Sequence, residues 1–132
     1  MSANSFVLVP RQEVDPNNPD SDSKSIRYDS FVALLFKLQT PNEMLMHAAL
    51  GICGEAGELA DAIKKHVVYG KPMDYNNVIE ELGDLRFYMQ ALQNLLALTE
   101  QRILQNNADK LSVRYKQLTY SDNAAISRAD KA

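Results

Sequence analysis

Between residues 41 and 67 the chain keeps apolar side chains at one helical phase without a break, and this limits the fold more than any other feature. Leu45, Ala49, Ile52, Ala56, Leu59 and Ile63 recur at alternating steps of four and three, the pattern of a continuous helix-packing seam. The start is marked locally by Thr40-Pro41-Asn42-Glu43. Thr40 suits an N-cap, Pro41 the first helical position, and Glu43 the carboxylate of a capping box. Tyr69-Gly70-Lys71-Pro72 supplies stop chemistry at the far end.

Three further helices are expected around this one. Residues 25–39 carry Tyr28, Phe31, Leu35 and Leu38 on one stripe. A third helix starts at Asp74, a plausible N-cap, and runs to about residue 98 with Ile79, Leu82, Leu85, Met89, Leu92 and Leu96 inward. A fourth follows a break near Thr99 and reaches about residue 115, with Ile103, Leu104, Ala108, Leu111 and Tyr115 inward. No strand-like alternation of useful length occurs after residue 10. The expected fold is therefore all-α, a four-helix-bundle-like protomer with antiparallel central helices.

Flanking segments differ in character. Residues 10–25 hold three prolines and almost no apolar side chain, so 1–25 reads as a flexible N-terminal arm, in which residues 5–9 can dock as a short extended piece. Residues 26–120 form the helical domain, and 121–132 a polar C-terminal tail in which Arg128 and Asp130 are expected to be solvated charges. With 132 residues, 45% of them hydrophobic, one soluble domain is expected. A net charge of -3 leaves no basic surplus for long nucleic acid. Neither a signal peptide nor a membrane span is visible, and a single cysteine, Cys53, reads as a buried structural thiol in a cytoplasmic protein.

Within the second helix, Gly51, Gly54 and Gly57 stand beside the seam. Each costs a helix interior about 0.5–1 kcal/mol relative to Ala, so the close approach of another helix or of a ligand is expected there. Two acidic pairs accompany them. Glu55 and Glu58 are three apart on the second helix, Glu81 and Asp84 three apart on the third. Like charges at this spacing share a face and repel. Beside an apolar seam they are costly unless a cation is present. If the two helices pack antiparallel, four carboxylates converge, an all-oxygen set suited to Mg²⁺ or Mn²⁺ rather than Zn²⁺.

The stretches Gly54-Glu55-Ala56-Gly57-Glu58-Leu59-Ala60-Asp61 and Glu80-Glu81-Leu82-Gly83-Asp84 resemble the paired acidic motifs of the MazG-like all-alpha nucleoside triphosphate pyrophosphohydrolases, written EExxE and ExxD. The resemblance covers roughly residues 28–120 and extends to Asn107, Lys110-Leu111 and Arg114-Tyr115. One departure is Gly54, where the pattern has its first Glu; short single-domain members often show this form. The resemblance implies hydrolysis of a (d)NTP to the monophosphate and pyrophosphate, for nucleotide-pool sanitation or control. By the same resemblance Glu55, Glu58, Glu81 and Asp84 are the catalytic metal ligands for Mg²⁺, with Mn²⁺ as a substitute, and one carboxylate takes the proton of the attacking water. Tyr88, Asn107, Lys110 and Arg114 are then the substrate-binding residues. A homo-oligomer, dimer or tetramer, is also implied.

Other residues have blander expectations. Lys64 and Lys65 complement the helix dipole, His66 caps the same end, and His47 is an interface histidine or a base contact. Alternatives to the leading function are a related hydrolase acting on dUTP or phosphoribosyl-ATP, and a non-catalytic helical interaction module. A di-iron carboxylate bundle is disfavoured, because neither acidic pair continues into Glu-x-x-His.

Overall fold

The computed structural model describes residues 6–8 and 25–131. Strand β1 (Phe6–Leu8) and strand β2 (Ser25–Arg27) are followed by helices α1 (Tyr28–Leu35), α2 (Pro41–Val67), α3 (Tyr75–Leu95), α4 (Glu100–Arg114) and α5 (Asp122–Ser127), then a 3-10 turn at Ala129–Lys131. The chain divides into two compact units: α1 to α3 belong to the first, which ends at Ala97, and α4, α5 and the 3-10 turn to the second, which begins at Leu98. The fold is all-α apart from two three-residue strands. No described helix is long and apolar enough to cross a membrane.

Most of the expected flexible arm, residues 1–25, lies outside the described residues. Where it is described, the backbone of β1 pairs antiparallel with β2, Phe6 opposite Arg27 and Leu8 opposite Ser25. The first helix therefore starts at Tyr28, not residue 25, because a long-range backbone pairing claims residues 25–27. It also stops at Leu35 rather than residue 39, with extended backbone at Phe36 (φ -65°, ψ 134°).

Local chemistry sets the other boundaries as expected. At the start of α2 the Glu43 amide donates to Thr40 Oγ1 (3.4 Å) and the Thr40 amide donates to Glu43 Oε2 (3.1 Å), completing the capping box. Its end turns back through Gly70, whose positive φ of 66° a residue with a Cβ adopts only at a cost. The Lys71 amide then donates to the Lys65 carbonyl (3.2 Å), and His66 Nδ1 meets the Lys71 carbonyl at 2.7 Å. Asp74 accepts from the Asn77 amide (3.1 Å) and Thr99 from the Arg102 amide (3.2 Å), capping α3 and α4.

In the first unit Val32, Ala48 and Ala91 are buried, with Tyr28, Phe36, Phe87, Leu92 and Leu95 packed around them. Ala48 and Ala91 are small, which lets α2 and α3 approach closely. These helices run antiparallel: Gly51 lies against Tyr88, while Glu55 faces Glu81 and Asp84.

The phase of the seam agrees with the sequence expectation at Leu45, Ile52, Leu59, Leu85 and Leu92 and differs from it elsewhere. Buried and half-buried positions on α2 include Leu45, Ala48, Ile52, Glu55, Leu59 and Ala62; on α3 they include Val78, Glu81, Leu85, Tyr88, Ala91, Leu92 and Leu95. Ala49, Ala56 and Ile63, expected inward, are exposed, as are Ile79, Leu82, Met89 and Leu96. Both helices carry apolar residues at two adjacent phases, and the shape fit of Ala48 against Ala91 selects one of them. That choice rotates Glu55 and Glu81 into the seam itself. Cys53 faces outward too and is exposed, not a buried thiol.

The second unit departs further. α4 has no buried residue; Ile103, Leu104 and Ala108 are exposed, and the half-buried positions are Glu100 at its start and Leu111 and Arg114 near its end, with the C-cap Tyr115. The polar tail is structured where it is described: Ser121 caps α5 by accepting from the Ala124 amide (3.1 Å).

Candidate metal centre

One carboxylate oxygen from each of Glu55, Glu81 and Asp84 lies within 4.8 Å of the others. Glu81 and Asp84 reach this point together because they are one turn apart on α3, and Glu55 meets them across the seam. Glu58, the fourth expected ligand, is exposed on the next turn of α2 and lies outside this triplet. Its charge still acts on Glu81.

Three anions so close destabilise one another. Burial, the charges of Glu55, Glu58 and Asp84, and a hydrogen bond with Glu55 hold the Glu81 carboxyl above its ordinary value. The donor set is oxygen only, partly buried and anionic, which fits a hard divalent cation and no soft one. None of the ion pairs Arg27–Asp29, Lys64–Asp61, Lys65–Asp61, Arg114–Asp130 and Arg128–Asp130 engages this triplet.

This electrostatic imbalance has a measurable consequence. Because the folded-state value of Glu81 is raised, the folded chain holds more protons than the unfolded chain between the two values. Stability then falls as pH climbs through the window above the ordinary carboxylate value of 4.5. Metal-free protein is therefore expected to lose more thermal stability between about pH 5 and about pH 8 than a Glu81→Gln variant does. Added Mg²⁺ should restore the difference mainly at the higher pH. Parallel melting profiles for the two proteins would refute the repulsion.

Tyr88 follows Asp84 by one turn and packs against Gly51 of α2. A Cβ added at Gly51 would fall inside its ring. Phe87 meets it edge-on (5.3 Å, 83°) and His47 lies 5.8 Å away. His47 in turn stacks on Phe36 (4.9 Å, 29°), and its Nδ1 lies 3.2 Å from Gln39 Oε1. These contacts make His47 part of an aromatic cluster next to the core. Gly54, Gly57 and Gly83 differ from Gly51, since nothing lies within 4 Å of an added Cβ. Only one of the three α2 glycines is thus explained by a close approach within the chain.

Tyr28 is a neighbour of the site that its sequence position did not reveal. Burial pushes its hydroxyl up, the Arg86 charge pulls it down and the Asp84 charge pushes it up. The periodicity of 25–39 puts Tyr28 on the apolar stripe, but its nearness to Asp84 depends on how α1 packs, which the three strand residues before it help to set. Asp61, the last residue of the first acidic motif, pairs with Lys65 Nζ at 3.1 Å and Lys64 Nζ at 4.0 Å.

In the second unit Asn107 and Lys110 are exposed on α4, and by spacing they share a face with Arg114. Arg114 itself is engaged: its Nε donates to Asp130 Oδ1 (2.7 Å) and its Nη2 to Oδ2 (3.1 Å). Arg128 Nε lies 3.6 Å from the same Oδ1. The Asp130 side chain is only 1% exposed, which corrects the expectation that it is a solvated charge, whereas Arg128 is exposed as expected. The Arg114 hydrogen bonds hold its carboxyl far below the usual range, and the pairing raises Arg114 in return. The partners are sixteen residues apart, so no local pattern marks them.

A family model described as the MazG nucleotide pyrophosphohydrolase domain matches residues 42–119. That span includes the acidic pairs, Tyr88, Asn107, Lys110 and Arg114, and stops short of Asp130. Searches of curated proteins and of solved structures gave no match.

Proposed function

The chain belongs to the MazG nucleotide pyrophosphohydrolase domain family, and from that premise we propose that it is a Mg²⁺-dependent hydrolase converting (d)NTPs to monophosphate and pyrophosphate, in nucleotide-pool sanitation or control. The observation that carries this is the convergence of Glu55, Glu81 and Asp84 across the α2–α3 seam. A divalent ion held there, with Mn²⁺ as a substitute, would supply positive charge against the triphosphate oxygens.

The chain's own groups do the rest. Glu55, Glu81 and Asp84 supply ligand oxygens from two rigid helices, and the seam fixes their spacing. Glu58 completes the acidic quartet from the exposed turn, where a carboxylate outside the triplet is available to orient water or receive its proton. Tyr88, braced by Gly51 and Phe87, offers a fixed ring edge to the nucleotide. Asn107, Lys110 and Arg114, on one face of α4, bind phosphate and sugar oxygens.

The test is pyrophosphate release from a panel of canonical and modified dNTPs, dUTP and phosphoribosyl-ATP included, with and without Mg²⁺. Release that needs Mg²⁺ is expected from at least one canonical or modified dNTP. Folded protein that turns over none of the panel would leave a helical interaction module, and exclusive turnover of phosphoribosyl-ATP would move the chain to the related hydrolase.

The protein is further proposed to work as a homo-oligomer. Ile79, Leu82, Met89 and Leu96 recur on an exposed face of α3, and Met46, Leu50 and Val67 are exposed on α2. Apolar surface of this extent is usually paired. A monomer in sedimentation at micromolar concentration would rule that out.

A further inference from the structure

We propose that Arg114 and Arg128 form a phosphate-binding site that the chain's own Asp130 fills until the phosphate chain of the substrate displaces it. This rests on Arg114 acting as a phosphate ligand, and it adds Arg128 as a second one and Asp130 as an internal competitor.

The geometry is that of anion recognition. Asp130 presents both carboxylate oxygens to the Nε and Nη2 edge of Arg114, at 2.7 and 3.1 Å. A phosphate presents two oxygens to the same edge in the same way. Arg128 adds a second guanidinium, 3.6 Å away. Two cations on one carboxylate leave a positive surplus that a more highly charged phosphate satisfies better. While Asp130 is in place, Arg114 is closed off: its side chain is 15% exposed and that of Asp130 1%. No phosphate oxygen can occupy the forked position unless the carboxylate leaves.

The segment bearing Asp130 is held in a way that lets it leave. α5 buries no residue. Leu118 is 81% exposed and Ile126 79%, so beyond the Tyr115–Tyr120 ring contact (5.5 Å) these large apolar side chains do little to fix the tail on α4. The backbone is left-handed at Leu118 and Arg128, with φ of 53° and 51°, a conformation unfavourable for residues with a Cβ. The Arg114–Asp130 ion pair ties the 3-10 turn to α4. A permanent clasp would be expected to bury Leu118 or Ile126 instead, and both are exposed.

The experiment compares full-length Asp130→Asn, Arg114→Ala and Arg128→Ala with the parent, measuring KM and kcat with Mg²⁺ and whichever nucleotide is turned over. A self-filled site makes the binding-competent state a minority, so Asp130→Asn should lower KM about three- to tenfold with kcat retained. Arg128→Ala should raise KM. If Asp130 only braces Arg114, Asp130→Asn raises KM and lowers Tm together, which overturns the proposal. If Arg114→Ala leaves KM unchanged, the phosphate role of Arg114 has failed and the proposal falls with it, separately from the metal centre. A second measurement does not depend on the variants folding. Hydrogen exchange at residues 122–131 of the unaltered protein should accelerate when Mg²⁺ and pyrophosphate are added; unchanged or slower exchange overturns the displacement.

Discussion

Glu55→Gln is expected to lower pyrophosphate release by about 10²–10³-fold while raising the thermal stability of the metal-free protein. The amide keeps the shape of the side chain and removes one of the three anionic oxygens that meet within 4.8 Å. Lewis-acid stabilisation at such a site is worth several kcal/mol, and each 1.36 kcal/mol is about tenfold in rate. Stability moves the other way because Glu55 is one of the groups that push the Glu81 carboxyl up, so its charge opposes folding when no cation is bound. A variant that loses activity and also melts lower would show only a damaged fold. One that keeps full, Mg²⁺-dependent activity would remove Glu55 from the metal centre. The opposite signs of the two effects separate a functional carboxylate from a structural one in a single pair of measurements.

Gly51→Ala is expected to destabilise the protein by about 1–3 kcal/mol, the usual cost of overpacking a well-packed site. Helix propensity alone argues the reverse, since replacing a mid-helix Gly by Ala is worth about 0.5–1 kcal/mol. The steric cost wins at Gly51 because the added Cβ would enter the Tyr88 ring, which Phe87 and His47 leave little room to move. Gly83 is the control: nothing lies within 4 Å of an added Cβ there, so Gly83→Ala should stabilise by about 0.5–1 kcal/mol. Tyr88→Ala combined with Gly51→Ala should recover much of the loss, a coupling that chemical denaturation of the four proteins in the cycle would measure. Additive losses would mean that Tyr88 does not rest on Gly51. A shift in KM larger than the shift in kcat for Gly51→Ala is expected as well, since the displaced ring is proposed to face the nucleotide.

The start of α2 depended on tertiary structure for nothing. Thr40 and Glu43 satisfy each other's backbone groups within four residues with Pro41 at the first helical position, and Asp74 and Thr99 each accept a backbone N–H at the start of α3 and α4. Such bonds are local, so the residue types specify them. The two acidic pairs are legible for the same reason: a spacing of three on a helix is one face wherever that helix goes. The family likewise lay in the string of residues, and its model matches 42–119.

What packing decided was phase and partnership. α3 carries Leu and Ile at two neighbouring helical phases, and the pattern gives both similar weight. The inward face was chosen by Ala48 meeting Ala91 and by Tyr88 settling on Gly51, contacts between residues some forty apart in sequence. That choice put Glu55 and Glu81 inside the seam, left Glu58 outside the triplet and exposed Ile79 and Leu82. β1 claimed residues 25–27 from the first helix by the same kind of long-range contact. Arg114 and Asp130 were brought together by a left-handed turn at Arg128 that no propensity favours. Sequence alone therefore determined where α2, α3 and α4 begin and which carboxylates share a face, because those depend on bonds within a turn. Tertiary structure decided which face turns inward and which charges meet, because those depend on shape and electrostatic fit between segments that the chain keeps far apart.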